Sequence, residues 1–174
     1  LESPRELDLI IEVSQELKVR PLLGIRVKLT NKVSGNWSQS SGDRSAFGMS
    51  VEQVMKVITK LKVNNYLDCL VLQHSHLGSQ IPDIIEIRKA TQEACRFYSE
   101  MRKQGAPLEY LDLGGGLGVD YTGEQKSSLN SINYSLDEYC INIVETVKYE
   151  LDQSNINHPI TVSYTHLTLP TKQD

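Results

Sequence analysis

The chain has 174 residues, of which 39% are hydrophobic and 23% are charged, and these proportions are typical of one ordinary globular domain. A net charge of -4 argues against a sequence-independent nucleic-acid binder, and no apolar run reaches the roughly 20 residues that span a bilayer. We therefore expect no nucleic-acid and no membrane partner. Three widely spaced cysteines without a C-x-x-C pair predict reduced packing residues and a cytoplasmic location: Cys69, Cys95 and Cys140.

Four segments predict amphipathic helices that each begin with a reciprocal capping pair. In each of them a Ser or Asp at the N-cap is followed three residues later by Glu or Gln, so that the two side chains can cap each other's backbone N–H groups. Apolar residues then recur at helical spacing. The four capping segments lie at residues 3–6, 50–53, 83–86 and 135–138.

Short apolar segments between these helices predict four strands, at residues 22–29, 67–73, 108–113 and 158–162. The alternation of strand and helix implies parallel strands. Links from helix to strand have about three residues, whereas loops from strand to helix have about 9 to 21. Long loops on one face are typical of a (β/α)8 barrel, where strand C-termini carry the chemistry. We predict an α/β fold forming part of a TIM barrel, about four βα units, with a doubly wound sheet as the alternative.

The third predicted strand ends in three consecutive glycines, Gly114, Gly115 and Gly116. Glycine adopts positive φ at low cost, and without a Cβ it lets backbone N–H groups approach an anion closely. A strand that ends in such a turn is a common way to hold a phosphate. A flexible turn is the alternative interpretation of the same residues.

A second motif, HSHLGSQ at residues 74–80, follows the second predicted strand. Residues two apart on a strand point to the same side, so His74 and His76 are expected to share one face. They could begin a metal site, form an acid/base pair, lay an imidazole on an aromatic cofactor, or be structural polar residues at a barrel mouth. Gly78 and Ser79 offer a backbone N–H and a hydroxyl to an anion, which predicts a second phosphate-binding turn on the same face.

Segments 74–80 and 112–121 together resemble the barrel-type, pyridoxal-phosphate-dependent arginine decarboxylases, which share an alanine-racemase-like barrel with ornithine and diaminopimelate decarboxylases. The resemblance covers about residues 1–162, which we expect to be a fragment of the cofactor-binding barrel domain. Further similarity to the arginine branch lies in SGNW at 34–37, SGD at 41–43, Phe47-Gly48 and Asn133-Tyr134.

The resemblance implies roles for individual residues. His76 matches the catalytic histidine that stacks on the cofactor ring, Ser79 matches the serine that binds the cofactor phosphate, and the three glycines match those whose amides hold it. Asp120 is either a contact for a cationic substrate or a solvent-exposed loop aspartate. The segment similar to the family's ligand-binding stretch comprises Leu111, Asp112, Leu113, Gly114, Gly115, Gly116, Leu117, Gly118, Val119, Asp120 and Tyr121.

The resemblance implies a carbon–carbon lyase that uses pyridoxal 5'-phosphate as an electron sink and converts L-arginine to agmatine and CO2, a step of polyamine and spermidine biosynthesis. It also implies Mg2+ as a second cofactor and a dimer-based homo-oligomer. One alternative is a relative acting on diaminopimelate or ornithine, and another is a non-catalytic barrel protein that binds pyridoxal phosphate. A metal-dependent hydrolase built on His74 and His76 is the most distant alternative.

Two groups expected of the family are missing from the sequence. The Schiff-base lysine belongs in an Ile-Lys-Val-Asn-like strand, and Lys28 instead lies in Arg-Val-Lys-Leu. A Glu-Ser-Gly-Arg segment, which binds the pyridinium nitrogen and the phosphate, should follow Val162 and does not. Ala46 also replaces the lysine usual before Phe-Gly. We therefore expect this isolated chain to be inactive.

Residues 163–174 read SYTHLTLPTKQD where the Glu-Ser-Gly-Arg segment is expected. This segment resembles translated sequencing-adapter read-through, so we expect a non-native tail, with a divergent strand and loop as the alternative. The chain also begins at Leu1 without a methionine, from which we expect that the true start lies upstream.

Overall fold

The computed structural model describes residues 1–30, 47–128 and 130–164. Helices and strands alternate along these residues, beginning with a helix. The helices are α1 Pro4–Leu17, α2 Val51–Val63, α3 Ile84–Lys103 and α4 Leu136–Gln153. The strands are β1 Leu23–Arg26, β2 Leu70–His74, β3 Tyr110–Asp112 and β4 Ile160–Val162.

Within the described residues the strands form one parallel sheet in the order β1-β2-β3-β4. The spatial order follows the chain order, as it does in a barrel, whereas a doubly wound sheet reverses direction at a switch point. The register aligns the strand ends, because His74 pairs with Arg26 on one side and with Asp112 on the other. This arrangement brings the loops after β2 and β3 next to each other.

The sheet has one face covered by helices and one open face. Ile25, Gln73 and Leu111 share one row of the register and are fully buried. Gln73 Nε2 donates to the carbonyl oxygen of Ala94 in α3 at 2.9 Å, which identifies this row as the helix-facing side. The alternate residues, which would line the interior of a closed barrel, form the open face.

The hydrophobic core lies between the sheet and the helices. Its helical side chains are the periodic apolar residues that the sequence pattern predicts, and burying each large one stabilises the fold by about 1.5–3 kcal/mol. Fully buried examples are Leu7 of α1, Leu61 of α2, Ile87 and Ala94 of α3, and Leu151 of α4.

The helix starts are predicted correctly, but the reciprocal capping pair forms at only two of the four described helices, α2 and α4. At α1 the Glu6 carboxylate instead accepts the N–H of Glu2 at 2.9 Å. At α3 the N-cap Asp83 is joined by Asn133, whose Oδ1 accepts the Ile84 N–H at 3.0 Å. The reciprocal pair is absent at α1 because the Glu6 carboxylate binds the N–H of the residue before the N-cap, and at α3 a side chain distant in sequence accepts the Ile84 N–H.

The predicted strand at 67–73 is wrong at its start. Leu67–Cys69 form a 3₁₀ turn, in which the Cys69 N–H donates to the Tyr66 carbonyl oxygen at 3.0 Å, and the strand begins only at Leu70. A short apolar run buries its side chains equally well in either conformation, so its pattern does not fix the boundary.

Several predictions lie outside the described residues: those on the loops 34–37 and 41–43, on Ala46, and on residues 165–174. Ser163 and Tyr164, the first residues of the predicted tail, are described. The Tyr164 N–H donates to the Gly114 carbonyl oxygen at 2.8 Å, so the pairing of β4 beside β3 extends as far as the glycines. No helix in the described part of the chain is long and apolar enough to cross a membrane.

Candidate functional site

Two loops meet at the C-terminal ends of β2 and β3. We call residues 75–82 the histidine loop and residues 113–134, except the undescribed residue 129, the glycine loop. Backbone hydrogen bonds run between them from Leu77 N–H to the Leu113 oxygen at 3.3 Å and from Ile81 N–H to the Gly116 oxygen at 3.1 Å. The two motifs singled out in the sequence therefore lie side by side, as the predicted topology requires.

Gly114 lies where the two histidines approach the glycine loop. Its φ is +65°, and a Cβ built on it would be 3.0 Å from His76 Nδ1 and 3.2 Å from His74 Cε1. Glycine is therefore required twice, for the left-handed backbone and for the close approach of the imidazoles. The structure brings His74, His76 and Gly114 together at one point.

A partly buried hydrogen-bonded pair of side chains lies beside Gly114. His74 Nδ1 is 2.9 Å from Asp112 Oδ2, and Asp112 Oδ1 accepts the Gly114 N–H at 2.8 Å. Burial acts to raise the pKa of the Asp112 carboxyl, but the hydrogen bonds from His74 and Gly114 outweigh it and hold the pKa below its usual value. Because an ionised carboxylate only accepts hydrogen bonds, the His74 proton must be on Nδ1.

His74 and Asp112 lie in separate motifs, and nothing local in the sequence links them. The signal that could have found the pair is the register, because both residues end predicted neighbouring strands of a parallel sheet. Polar residues at equivalent ends of such strands are brought into contact by the ladder itself.

His76 is half-buried beside this pair. Burial lowers the pKa of its imidazole, and the nearby charges of Arg26 and His74 lower it further, while Asp112 acts in the opposite direction. The ring is therefore neutral around pH 7. A neutral, partly exposed imidazole at the end of a barrel strand offers a flat face to an aromatic ligand.

The candidate anion donors lie on two turns that are packed against each other. Gly115 lies against the turn of the histidine loop, since a Cβ built on it would be 3.4 Å from the Gly78 oxygen and 3.6 Å from His76 Cε1. Among the described residues, no hydrogen-bond partner is found for the N–H groups of Gly115 and Gly116 or for the exposed Ser79 hydroxyl. Ser79 is exposed and Gly115 is partly exposed, whereas Gly116 is buried, so the Ser79 hydroxyl and the Gly115 N–H are the more accessible to an anion.

The structure narrows one prediction. Gly114 was expected to offer its amide to a phosphate along with the next two glycines, but its N–H is already donated to Asp112. An N–H group with a charged acceptor at 2.8 Å is a poor donor to a second anion. Gly114 therefore shapes the turn, and the predicted phosphate donors are reduced to Gly115 and Gly116.

Five of the remaining residues of the predicted ligand-binding stretch divide into three groups, and Gly118 donates its N–H to the Tyr134 hydroxyl at 3.0 Å. Leu111 and Leu113 are fully buried in the core, so their side chains support β3. Leu117 packs against the same core, and the backbone of Val119 is bound by Gln80. Tyr121 is exposed.

Asp120 organises its own loop. Its two carboxylate oxygens accept the N–H groups of Gly123 at 2.9 Å and Gln125 at 3.0 Å. Hydrogen bonding, first from Ser131 and then from these backbone groups, lowers the pKa of this carboxyl. These bonds to its own loop explain the presence of an aspartate at this position without any ligand. A contact between Asp120 and the substrate remains a prediction.

No group of three or more His, Cys, Asp or Glu side chains suited to a metal ion is present in the described ranges. His74 is already committed to Asp112, and His76 faces Gly114 and Gly115. The Mg2+ implied by the resemblance therefore stays a prediction to which no residues are assigned.

Comparison with protein families gives a match over most of the chain. Residues 1–153 match the family described as "Pyridoxal-dependent decarboxylase, pyridoxal binding domain". The chain is 46% identical over 163 residues to a biosynthetic arginine decarboxylase of Prochlorococcus marinus strain MIT 9215, covering 94% of this chain and 25% of that protein. It is 44% identical to the biosynthetic arginine decarboxylase of Vibrio cholerae, with 94% and 26% covered. The chain thus spans about a quarter of the length of these curated relatives.

Solved structures agree with this match. The biosynthetic arginine decarboxylase of Campylobacter jejuni superposes with a TM-score of 0.79 at 33% identity, covering 94% of this chain and 26% of that one. Diaminopimelate decarboxylase of Helicobacter pylori, complexed with L-lysine, superposes with a TM-score of 0.73 at 22% identity, covering 93% and 38%, and this shows the fold alone. The predicted partial TIM barrel is confirmed.

Proposed function

Because the chain belongs to the pyridoxal-dependent decarboxylase family, we propose that its histidine loop and glycine loop together hold pyridoxal 5'-phosphate in an arginine decarboxylase. The main support for the proposal is the close approach of His76 to Gly114 and Gly115. It places a flat, neutral ring beside a turn whose N–H groups at Gly115 and Gly116 have no partner among the described residues. Residues 1–162 would then be a piece of the cofactor-binding barrel, and 163–174 a non-native tail.

The residues present fit this cofactor. The N–H groups of Gly115 and Gly116 have no partners in the described part of the chain, and Ser79 follows Gly78, whose oxygen is 3.4 Å from a Cβ built on Gly115. Such concave backbone turns bind phosphate groups. His76 would lie on the pyridine ring, since burial lowers its pKa and keeps the imidazole uncharged.

When bound, the cofactor accepts the electron pair left on the substrate as CO2 departs. The chain's own residues hold the cofactor and orient it. His76 would cover one face of the bound ring, and the Asp112 carboxylate fixes His74 beside it through Nδ1. The Asp112 contact with the Gly114 N–H fixes the start of the turn.

L-arginine is the proposed substrate, with agmatine and CO2 as products. The support is the 44% to 46% identity to proteins named biosynthetic arginine decarboxylase, compared with 22% identity to a solved diaminopimelate decarboxylase. A dimer-based homo-oligomer, a place in polyamine biosynthesis and a cytoplasmic location belong to the same proposal. The buried free thiols of Cys69 and Cys95 support the location.

A chimera tests the substrate. Residues 1–162 replace the matching segment of the Vibrio cholerae enzyme, whose remaining chain supplies the groups absent here. We expect CO2 release from L-arginine with agmatine as product, and little release from ornithine or diaminopimelate. The unmodified Vibrio cholerae enzyme is the control. A folded chimera that prefers ornithine or diaminopimelate would contradict the assignment.

A further inference from the structure

Two side chains fasten the histidine loop to the glycine loop next to the candidate anion donors. Gln80 directly follows Ser79 and reaches Val119, and Tyr134 reaches back to both loops from the end of the glycine loop. We call Gln80 and Tyr134 the loop clamp.

Gln80 binds the backbone of Val119 at two points. Its Oε1 accepts the Val119 N–H at 2.9 Å, and its Nε2 donates to the Val119 carbonyl oxygen at 2.7 Å. A carboxylate has no donor for the second bond, so only an amide side chain can make both. Gln80 adopts a φ of +50°, which is uncommon for a residue with a side chain. The two hydrogen bonds to Val119 hold its side chain in place.

Tyr134 makes two further bonds with one buried hydroxyl. It donates to the Ile81 carbonyl oxygen at 2.7 Å and accepts the Gly118 N–H at 3.0 Å. Burial raises the pKa of Tyr134 to about 12, so the phenol keeps its proton and remains a donor at all ordinary pH values. One residue therefore ties the histidine loop to the glycine loop across 53 positions of sequence.

The loop clamp lies where it can control the distance between the histidine loop and the glycine loop near Ser79. It acts on Gln80 and Ile81, immediately after Ser79, and on Gly118, two residues after Gly116. Loss of either clamp residue would leave fewer bonds between the loops next to Ser79 and Gly116, where the Ile81 N–H also donates to the Gly116 oxygen at 3.1 Å. The His76 side of the site is held separately, through Asp112 and Gly114.

We propose that Gln80 and Tyr134 are positioning residues that set the distance between Ser79 and the Gly115–Gly116 amides, and so determine the affinity for a phosphorylated ligand. This inference rests on the proposed function. If the Ser79 hydroxyl and the two glycine N–H groups are wrongly spaced, every phosphate contact is weakened at once, but ring contacts with His76 are left intact. The clamp should therefore affect the phosphorylated ligand and spare its unphosphorylated counterpart.

Binding of pyridoxamine 5'-phosphate and of pyridoxamine to the full 174-residue chain tests this. Neither probe has an aldehyde, so surface lysines do not react with them, and the ratio of the two dissociation constants isolates the phosphate contribution. We expect the unmodified chain to prefer the phosphorylated form. Gln80→Glu and Tyr134→Phe, which keep size and shape, should each reduce that preference by about tenfold.

Gln92→Glu and Tyr149→Phe are matched controls on α3 and α4, and they should leave the preference unchanged. A purely structural role of the clamp would lower the melting temperature and both affinities together, without changing their ratio. An unmodified chain with no preference contradicts the proposed function and this inference with it. An unmodified chain that prefers the phosphorylated form, with variants that keep the same preference, overturns the inference alone.

Discussion

His74 and Asp112 form a partly buried pair with 2.9 Å between Nδ1 and Oδ2, at paired positions of adjacent strands. The second Asp112 oxygen holds the Gly114 N–H, so one carboxylate links the histidine end of β2 to the start of the glycine turn. The geometry of the site depends on this carboxylate before any ligand arrives.

Asp112→Asn should therefore destabilise the chain. The asparagine keeps the shape but has one acceptor oxygen for two donors, so a buried donor loses its charged partner at a cost of about 1–3 kcal/mol. Urea unfolding measures the loss. Asp152→Asn is the matched control, because Asp152 pairs with His158 at 2.8 Å on the exposed surface, where such pairs contribute about 0–1 kcal/mol. Equal losses in the two variants would contradict the role given to Asp112.

Gly114→Ala should perturb both histidines. The new Cβ would lie 3.0 Å from His76 Nδ1. The alanine would also have to adopt the φ of +65° that Gly114 has. Gly123→Ala is the control, because Gly123 has a φ of +72° and nothing within 4 Å of the added carbon. Both variants carry left-handed strain of about 1–2 kcal/mol, and the additional loss at Gly114 measures the contact. Imidazole NMR signals of His74 and His76 should shift only in Gly114→Ala, and unchanged signals would refute the contact.

Stability should fall as the pH drops below about 6.5. Burial places the pKa of folded His76 below its usual value of 6.5, so in the interval between the two values the unfolded chain binds more protons. Stability then rises with pH and is lost as the pH falls through the folded pKa. His76→Gln should flatten this part of the curve, measured by urea unfolding at several pH values.

The isolated chain should not produce agmatine. Lys28 follows β1 and by strand alternation shares the face of Arg26, but it lies outside the sequence context of the family's reactive lysine. Incubation with L-arginine and pyridoxal phosphate, compared with a no-protein blank and with the Vibrio cholerae enzyme, measures this. Agmatine above the blank that disappears in Lys28→Ala would show that Lys28 replaces the missing amine.

The sequence predicted the parts of the fold that local pattern controls. The periodic apolar faces of α1 to α4 and their N-cap residues depend on neighbours within four positions, and these helices begin where predicted. The 3₁₀ turn at Leu67–Cys69 was missed, because a run of three residues has no period to read. The Asn133 contribution to the start of α3 was missed because its partner lies 49 positions away.

The candidate site shows the same division. The resemblance predicts roles for His76 and Ser79 in one short motif and for the three glycines in another, and each motif is local in the sequence. The contacts that position them, from Asp112 to His74 and from Gln80 to Val119, span 38 and 39 residues and depend on strand register. A motif gives the type of each residue, but the assignment of the Gly114 N–H to Asp112 required the folded backbone.

The open face of the sheet exposes an apolar side chain at β4. Ile160 shares a register row with Leu72 and Tyr110 on that face and is 58% exposed. Apolar side chains in water at the edge of a sheet invite neighbouring molecules to stack on them. Ile160 is therefore one point at which copies of the chain can associate, and Ile160→Thr should raise the concentration at which the chain stays dispersed without touching either loop.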